Sequence, residues 1–190
     1  MQLFELIAKL STVSHGTSIK VGYHKEHLFF QNLQKTYCSK DYEVRKSFSV
    51  NINLKDRKWH IIDVFIQNKN EKIIYCLNIK GKATNFNLPP STQESFLEIV
   101  IKSVKEKFPG YEVTYIFVKD GFKSDPYFDR IKTLSNIRVI NFIEFKELFK
   151  TNSPTDSEIK TFFFDTLKAN LIKSGFDLKT IVKVFSKILK

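Results

Sequence analysis

The sequence predicts an α/β fold with a mixed central sheet, made of a three-strand meander plus two further strands, flanked by helices. Between residues 44 and 80, three strand patterns follow one another with short polar turns, which is typical of an antiparallel meander. The runs at 113–118 and 137–142 are apolar almost throughout, as expected of strands covered on both faces. Helical patterns separate and follow these strands, and this order favours helices packed on a mixed sheet.

The first half of the chain predicts two helices and then the meander. Apolar residues recur at helical spacing over residues 3–10 and again over about 24–36. From Val44 to Leu54 apolar and polar residues alternate, so we expect Val44 and the other apolar residues of this strand to share one buried face. The meander then continues with strands predicted at 59–66 and 72–80.

The second half alternates helices with the two remaining strands. A helix is predicted over 91–108, where the Pro109-Gly110 pair ends it. A short helix over about 144–150 follows the last strand. These elements complete the layer of helices that the mixed sheet requires.

The residues at 152–154 (Asn-Ser-Pro) predict a joint between a core over 1–150 and a C-terminal helical hairpin over 151–190. In the last predicted helix, apolar residues form one stripe and lysines recur every four residues on another face. This pattern is typical of a hairpin packed on the core with solvated lysines. Contact of those lysines with DNA phosphates, or dimer contacts through the hairpin, are the alternatives.

The charge balance suits an anionic partner. Lys and Arg number 31 against 20 Asp and Glu, which gives a net charge of +11 and a pI near 9.5. Nucleic acid is the expected partner of such a domain, because neutralised phosphates release counterions. Only four of the basic residues are arginine, however, and a lysine-rich composition also follows from AT-rich codon use without any partner.

Two cysteines, Cys38 and Cys76, fit a reducing cytosol and exclude a disulfide scaffold or a cysteine-based zinc site. Charged residues interrupt the apolar N-terminus, which is therefore not typical of a signal peptide. No apolar run reaches the roughly 20 residues that a membrane helix needs. We therefore expect a cytoplasmic protein with no membrane partner.

Phosphodiester hydrolysis needs a divalent metal held by oxygen ligands and a cation that stabilises developing charge. Asp63 lies in the apolar run 61–66, where a carboxylate is costly to bury without a partner. Lys80 ends the next predicted strand, and Asn78 shares its face because the two are two residues apart. The meander thus offers candidate residues for metal-assisted chemistry.

These segments, IIDVFI at 61–66 and YCLNIKGKA at 75–83, resemble the PD-(D/E)XK nuclease superfamily, known from type II restriction endonucleases. The resemblance covers about residues 22–149. It implies a restriction-endonuclease-like fold and a Mg²⁺-dependent deoxyribonuclease, with Mn²⁺ able to substitute. It also implies Asp63 as a metal ligand and Lys80 as the catalytic lysine. Cutting both strands of double-stranded DNA needs two active sites, so a homodimer or a second subunit is expected.

Asn78 stands where the superfamily has an acid, and three explanations are open. In the first, the carboxylate is relocated to the following helix, as in some restriction enzymes. The candidate in this chain is Glu94, which follows Lys80 after thirteen intervening residues and lies at the rim of the helix face that carries Leu97 and Ile101. Asn78 itself acts as a weak oxygen ligand. Or the chain is a degenerate nuclease whose site is inactive.

The resemblance also implies a glutamate on the second helix that contacts the metal through water, and Glu26 is the candidate. Lys82 is a candidate phosphate contact. Lys123 and Arg130 lie in a segment between predicted elements that would form a recognition loop. The sequence thus predicts a restriction-type DNA endonuclease. The alternatives are a catalytically inactive nuclease-fold subunit that binds DNA or assembles with an active partner, and a structural protein that is basic through codon use alone.

Overall fold

The computed structural model describes residues 3–54, 57–80, 90–119 and 134–177, together with the isolated residues 179 and 182. Within these ranges the protein is an α/β fold with a five-stranded mixed sheet flanked by helices, which confirms the predicted fold class. None of the helices found in these ranges is long and apolar enough to cross a membrane. The predicted last helix, which would begin near residue 177, lies outside the described residues.

The helices and strands follow one another as the sequence predicts, with one exception at the N-terminus. In chain order they are α1 (Leu3–Thr36), β1 (Tyr42–Leu54), β2 (Arg57–Asn68), β3 (Ile73–Lys80), α2 (Pro90–Lys107), β4 (Glu112–Lys119), β5 (Ile137–Asn141), α3 (Phe142–Phe149) and α4 (Asp156–Lys173).

The prediction of two N-terminal helices is wrong, because α1 runs without interruption from Leu3 to Thr36. The serines, threonines and glycines between the two apolar patterns indicate a break, since these residues favour turns over helix interiors. In the structure their hydroxyls bond back to the helix. Thr17 donates to the Val13 carbonyl at 2.7 Å and Ser18 to the Ser14 carbonyl at 3.0 Å.

The strands lie in the order β1-β2-β3-β4-β5. β1, β2 and β3 pair antiparallel as the predicted meander, whereas β3, β4 and β5 run parallel. The register pairs Lys80 with Lys119 and Lys119 with Asn141, so the carboxyl ends of the three parallel strands lie at one edge of the sheet. Ligands of open α/β sheets commonly bind at such an edge.

Each face of the sheet has its own apolar core. The α2-side core joins α2 to the sheet through a set that includes Phe65, Cys76, Leu97, Val104 and Tyr115. The α1/α3-side core joins α1 and α3 to the other face through a set that includes Phe29, Leu33, Leu77, Phe145 and Phe149. A residue of the sheet is therefore assigned to one face by the core that it joins.

The chain divides into two compact units. One comprises residues 26–153 and contains the sheet, whereas the other comprises 1–25 and 154–190. The predicted division at 150/151 lies close to the observed one at 153/154, but the first 25 residues group with the C-terminal segment and not with the sheet. In that smaller unit the described core consists of Val13, Leu167, Leu171 and Phe176.

Candidate active site

Asp63 lies where the alternation of β2 reverses. Ile62 and Phe65 both join the α2-side core, although they are three residues apart, whereas Val64 joins the α1/α3-side core. A regular strand places residues of even spacing on one face. The departure between Ile62 and Phe65 therefore shows that the strand is locally irregular at Asp63.

The irregularity extends to β1, where Ser47 lies opposite Asp63. Ser47 has a φ of 53°, although regular pairing continues on both sides of it. The prediction that Val44 shares a face with the later apolar residues of β1 is wrong, because Val44 packs against the α1/α3-side core and Phe48 belongs to the other. The reason is the left-handed backbone at Ser47, which rotates the strand between them.

β2 and β3 separate at Asp63. The last pair of their ladder is Val64 with Leu77, and beyond it the Asp63 Oδ2 atom accepts a hydrogen bond from the Ile79 backbone N–H at 2.7 Å. The carboxylate thus replaces a strand carbonyl where the two strands diverge. This bond fixes the orientation of Asp63 and provides one partner for a half-buried charge.

If the β2–β3 ladder continued beyond its last pair, Val64 with Leu77, the next pair would be Asp63 with Asn78. The Asn78 side chain is 5% exposed, and alternation with Cys76 places it on the α2 side of β3. Within the described part of the chain, its Oδ1 atom is buried without a hydrogen-bond partner. Leaving such an acceptor unsatisfied costs about 1–3 kcal/mol, so this oxygen is suited to accept a ligand.

The residue types at this point fit a hard divalent cation. Mg²⁺ prefers oxygen ligands, and the Asp63 carboxylate and Asn78 Oδ1 are both oxygen donors on adjoining strands. Across 3–54, 57–80, 90–119 and 134–177, side chains of His, Cys, Asp and Glu do not form a cluster of three or more that could hold a metal. The described residues therefore supply two candidate oxygen ligands on adjoining strands.

Lys119 lies at the same edge of the sheet as Lys80, and sequence reasoning did not assign it a role. It ends β4, its Cα pairs with that of Lys80, and its side chain is only 8% exposed. Lysine is rarely buried to this extent without compensating partners. A signal was present in the sequence, since Lys119 directly follows the continuous apolar run 113–118 at the carboxyl end of a parallel strand.

For the predicted catalytic lysine, Lys80, and the predicted relocated glutamate, Glu94, the structure describes the backbone position. Lys80 ends β3 beside Lys119, and Glu94 lies in α2 upstream of Leu97, which packs on the α2-side core. The side chains of Lys80 and Glu94 lie outside the described residues. Glu98, one turn further along α2, is exposed. The convergence of Glu94 on Asp63 stays a prediction.

Glu26 is half-buried on α1. Three residues later Phe29 belongs to the α1/α3-side core, so this helix packs on the face of the sheet opposite to Asn78. The structure therefore does not bring Glu26 and Asn78 to the same face. The predicted DNA contacts at Lys82, Lys123 and Arg130 all lie outside the described residues.

A second polar pair on the α2 side involves His60, which had no assigned role in the sequence. Its Nε2 atom lies 3.0 Å from the hydroxyl of Tyr115, a residue that is 1% exposed. The ring of Phe96 from α2 meets the His60 ring edge to face at 5.1 Å. These contacts give His60 a structural role in holding β2 against β4 and α2.

A thiol nucleophile is excluded at Cys76, although it lies on β3 two residues before Asn78. The side chain is fully buried in the α2-side core, and burial raises the pKa of its thiol. The thiol therefore stays protonated near neutral pH, and the thiolate is the nucleophilic form. Cys76 is a packing residue of the α2-side core.

No family model matches this chain, and no curated protein does. Among solved structures, the chain is similar to the crystal structure of a protein of unknown function, with a TM-score of 0.41 and 13% sequence identity. The alignment covers 84% of this chain and 95% of the other.

Proposed function

We propose that this chain is a Mg²⁺-dependent endonuclease of restriction type that hydrolyses phosphodiester bonds in double-stranded DNA. In this proposal it acts in the cytoplasm as a homodimer or with a second subunit. The observation that carries the proposal is the unpartnered oxygen of Asn78, buried on β3 where Asp63 marks the divergence of β2 from β3. The family resemblance of the two segments adds to it.

Asp63 and Asn78 would hold the metal, and Glu94 would complete the ligand set if its carboxylate reaches the same point. When bound, Mg²⁺ polarises the phosphate and lowers the pKa of water. The Ile79 N–H holds one oxygen of Asp63, which keeps the carboxylate in a single orientation. Little reorganisation of Asp63 is then needed when a ligand binds.

The cations at the carboxyl ends of β3 and β4 suit an anionic substrate. Lys80 would assist the attacking water, as the resemblance implies. Lys119 adds a second positive charge at the adjacent register position. A buried charge such as that of Lys119 attracts a phosphate more strongly than a charge in water, and the net charge of +11 also favours an anionic substrate.

The proposal is tested by incubating the purified protein with duplex DNA and Mg²⁺. We expect cleavage that falls by about 10²-fold or more in Lys80→Ala and Asp63→Asn. Asparagine at 63 can still accept the Ile79 hydrogen bond, so this variant should retain its fold by circular dichroism.

The glutamates of α2 provide a matched pair. Glu94→Gln should lose cleavage, whereas Glu98→Gln, one turn further along the same helix and exposed, should keep it. Undiminished cleavage by Lys80→Ala would refute the proposal. Equal activity of the two glutamine variants would remove Glu94 from the site.

A second candidate function is a non-catalytic subunit that keeps the nuclease fold and binds DNA or an active partner. Asn78 favours it, because a neutral amide stands in the acid position and the described residues hold no cluster of three acidic or metal-binding side chains. This candidate predicts DNA binding that weakens steeply with salt. It also predicts no Mg²⁺-dependent cleavage at any enzyme concentration.

A further inference from the structure

We propose that a cavity between the ends of α1 and α3 is a second anion site, which binds a phosphate group. The cavity has a volume of about 310 Å³ and lies within the unit 26–153. It adjoins the helices of the α1/α3-side core, on the sheet face opposite to Asn78. Its affinity for phosphate does not depend on cleavage of DNA.

Three exposed lysines line this cavity, namely Lys35 from α1, Lys146 from α3 and Lys150, which directly follows α3. Among the described residues, no Asp or Glu contributes to the lining. Both helices present their carboxyl ends here, and each helix end carries about half a negative charge. Three ammonium groups exceed that charge by about two, so a net positive field remains.

Hydrogen bonds hold the wall of the cavity. The Thr36 hydroxyl donates to the Thr151 hydroxyl at 2.8 Å, and the Thr151 hydroxyl donates to the Asn32 carbonyl at 3.2 Å. The Asn32 side-chain amide donates to the Asn152 carbonyl at 2.8 Å. Because Thr151 is buried and these bonds join α1 to the segment after α3, the bases of the three lysines are held in place.

The side chains that line the cavity favour a phosphate over other kinds of ligand. It consists of lysine, threonine and asparagine, with no aromatic or large aliphatic side chain among the described lining residues. A nucleobase or an acyl chain would find neither a stacking surface nor an apolar wall. Ammonium groups around a polar floor instead match the oxygens of a phosphate, which accept charge-assisted hydrogen bonds.

The test compares two double variants of the full chain that remove the same charge. Lys35→Gln/Lys146→Gln alters lysines that line the cavity, whereas Lys160→Gln/Lys168→Gln alters lysines of α4 that do not line it; all four lysines are exposed. Glutamine is a good helix former, so both variants should melt near the wild-type temperature. Inorganic phosphate and pyrophosphate are titrated calorimetrically in EDTA, and a short DNA duplex is titrated by fluorescence anisotropy.

We expect the cavity variant to raise the Kd for phosphate or pyrophosphate by about tenfold, because charge-assisted hydrogen bonds are lost. The α4 variant should change it by less than about twofold, since Lys160 and Lys168 do not line the cavity and their charges are screened by salt. If the duplex Kd rises in the cavity variant as well, beyond the α4 control, the phosphate comes from a nucleic-acid backbone. If only the small anions are affected, it comes from a free phosphorylated compound.

Equal losses in the two double variants, for small anions and duplex alike, would overturn the proposal. The amide signals of Thr151 and Asn152 provide a local readout, because they should shift on addition of phosphate in the wild type. Asp63→Asn, which tests the nuclease proposal, should leave phosphate binding at the cavity unchanged. Failure of one proposal is therefore distinguishable from failure of the other.

Discussion

Asp63 and Asn78, on adjoining strands, differ in how their polar atoms are satisfied. Asp63 finds a backbone partner in the Ile79 N–H, so its carboxylate contributes to the sheet. Asn78 leaves its Oδ1 atom unpartnered among the described residues, which costs stability and is typical of functional positions. Asn68, in the same sheet, shows the usual case of a buried asparagine whose amide is satisfied.

A leucine substitution separates these two kinds of buried asparagine. Asn78→Leu should keep the free energy of unfolding within about 1 kcal/mol of the wild type or raise it, because it removes an unsatisfied acceptor. Asn68→Leu should lower it by about 2–4 kcal/mol, since its side chain bonds Tyr42, Asn70 and Glu71. Urea unfolding at pH 7 measures both. A large loss in Asn78→Leu would show that Asn78 is structural.

Among the secondary-structure elements, β1 changes the face that its apolar residues cover at a single residue, Ser47. The backbone of Ser47 is left-handed, and Val44 and Phe48 consequently pack on different faces of the sheet. The matching irregularity in β2 lies at Asp63. A local twist in two paired strands therefore positions the candidate site, and neither strand signals it in its apolar pattern.

The backbone at Ser47 predicts an unusual response to glycine. Ser47→Gly should raise the free energy of unfolding by about 0.5–1 kcal/mol, because glycine adopts positive φ without the steric cost. Ser49→Gly, two residues along the same strand and also exposed, should lower it by a similar amount. Chemical denaturation of the two variants gives the sign of each change. Destabilisation by both would contradict the left-handed assignment.

For the sheet unit as a whole, residues 26–153, the structure predicts how stability depends on pH. Tyr37 joins the end of α1 to the end of α3, because its hydroxyl donates to the Phe149 carbonyl at 2.9 Å. Burial raises the pKa of Tyr37 from 10.0 to about 12, with Tyr42 and Tyr75 adding to the shift. The unfolded chain therefore loses this proton at a lower pH than the folded chain does.

The stability that Tyr37 contributes should be complete below pH 10 and lost as the pH rises from 10.0 to about 12. Tyr37→Phe should lower the free energy of unfolding by about 1 kcal/mol at pH 7, through loss of the hydrogen bond. It should also make the decline above pH 10 shallower than in the wild type. Denaturant titrations at neutral and alkaline pH measure both effects.

Tyr23→Phe is the control at neutral pH, because Tyr23 is 64% exposed and its variant should unfold as the wild type does. A decline above pH 10 that is equally steep in Tyr37→Phe and the wild type would contradict the shifted pKa of Tyr37.

The α/β fold class and the order of the strands along the chain could be predicted from the sequence, because the period of apolar residues is a local property of the chain. The sequence also singled out Asp63 on β2 and Asn78 on β3, whose register positions lie opposite each other, whereas the role of Lys80 stays a prediction. The predicted break in α1 was wrong, since hydroxyl groups that favour turns can also bond back to a helix. The predicted shared face of Val44 and Phe48 was wrong as well, because the two residues join different cores.

Three features could be found only in the tertiary structure: the unpartnered oxygen of Asn78, the burial of Lys119 and the cavity between α1 and α3. Each depends on which distant segments pack together, and a local pattern carries no information about that. The reversal at Ser47 has the same origin, because the sheet holds a backbone conformation that the residue alone would disfavour.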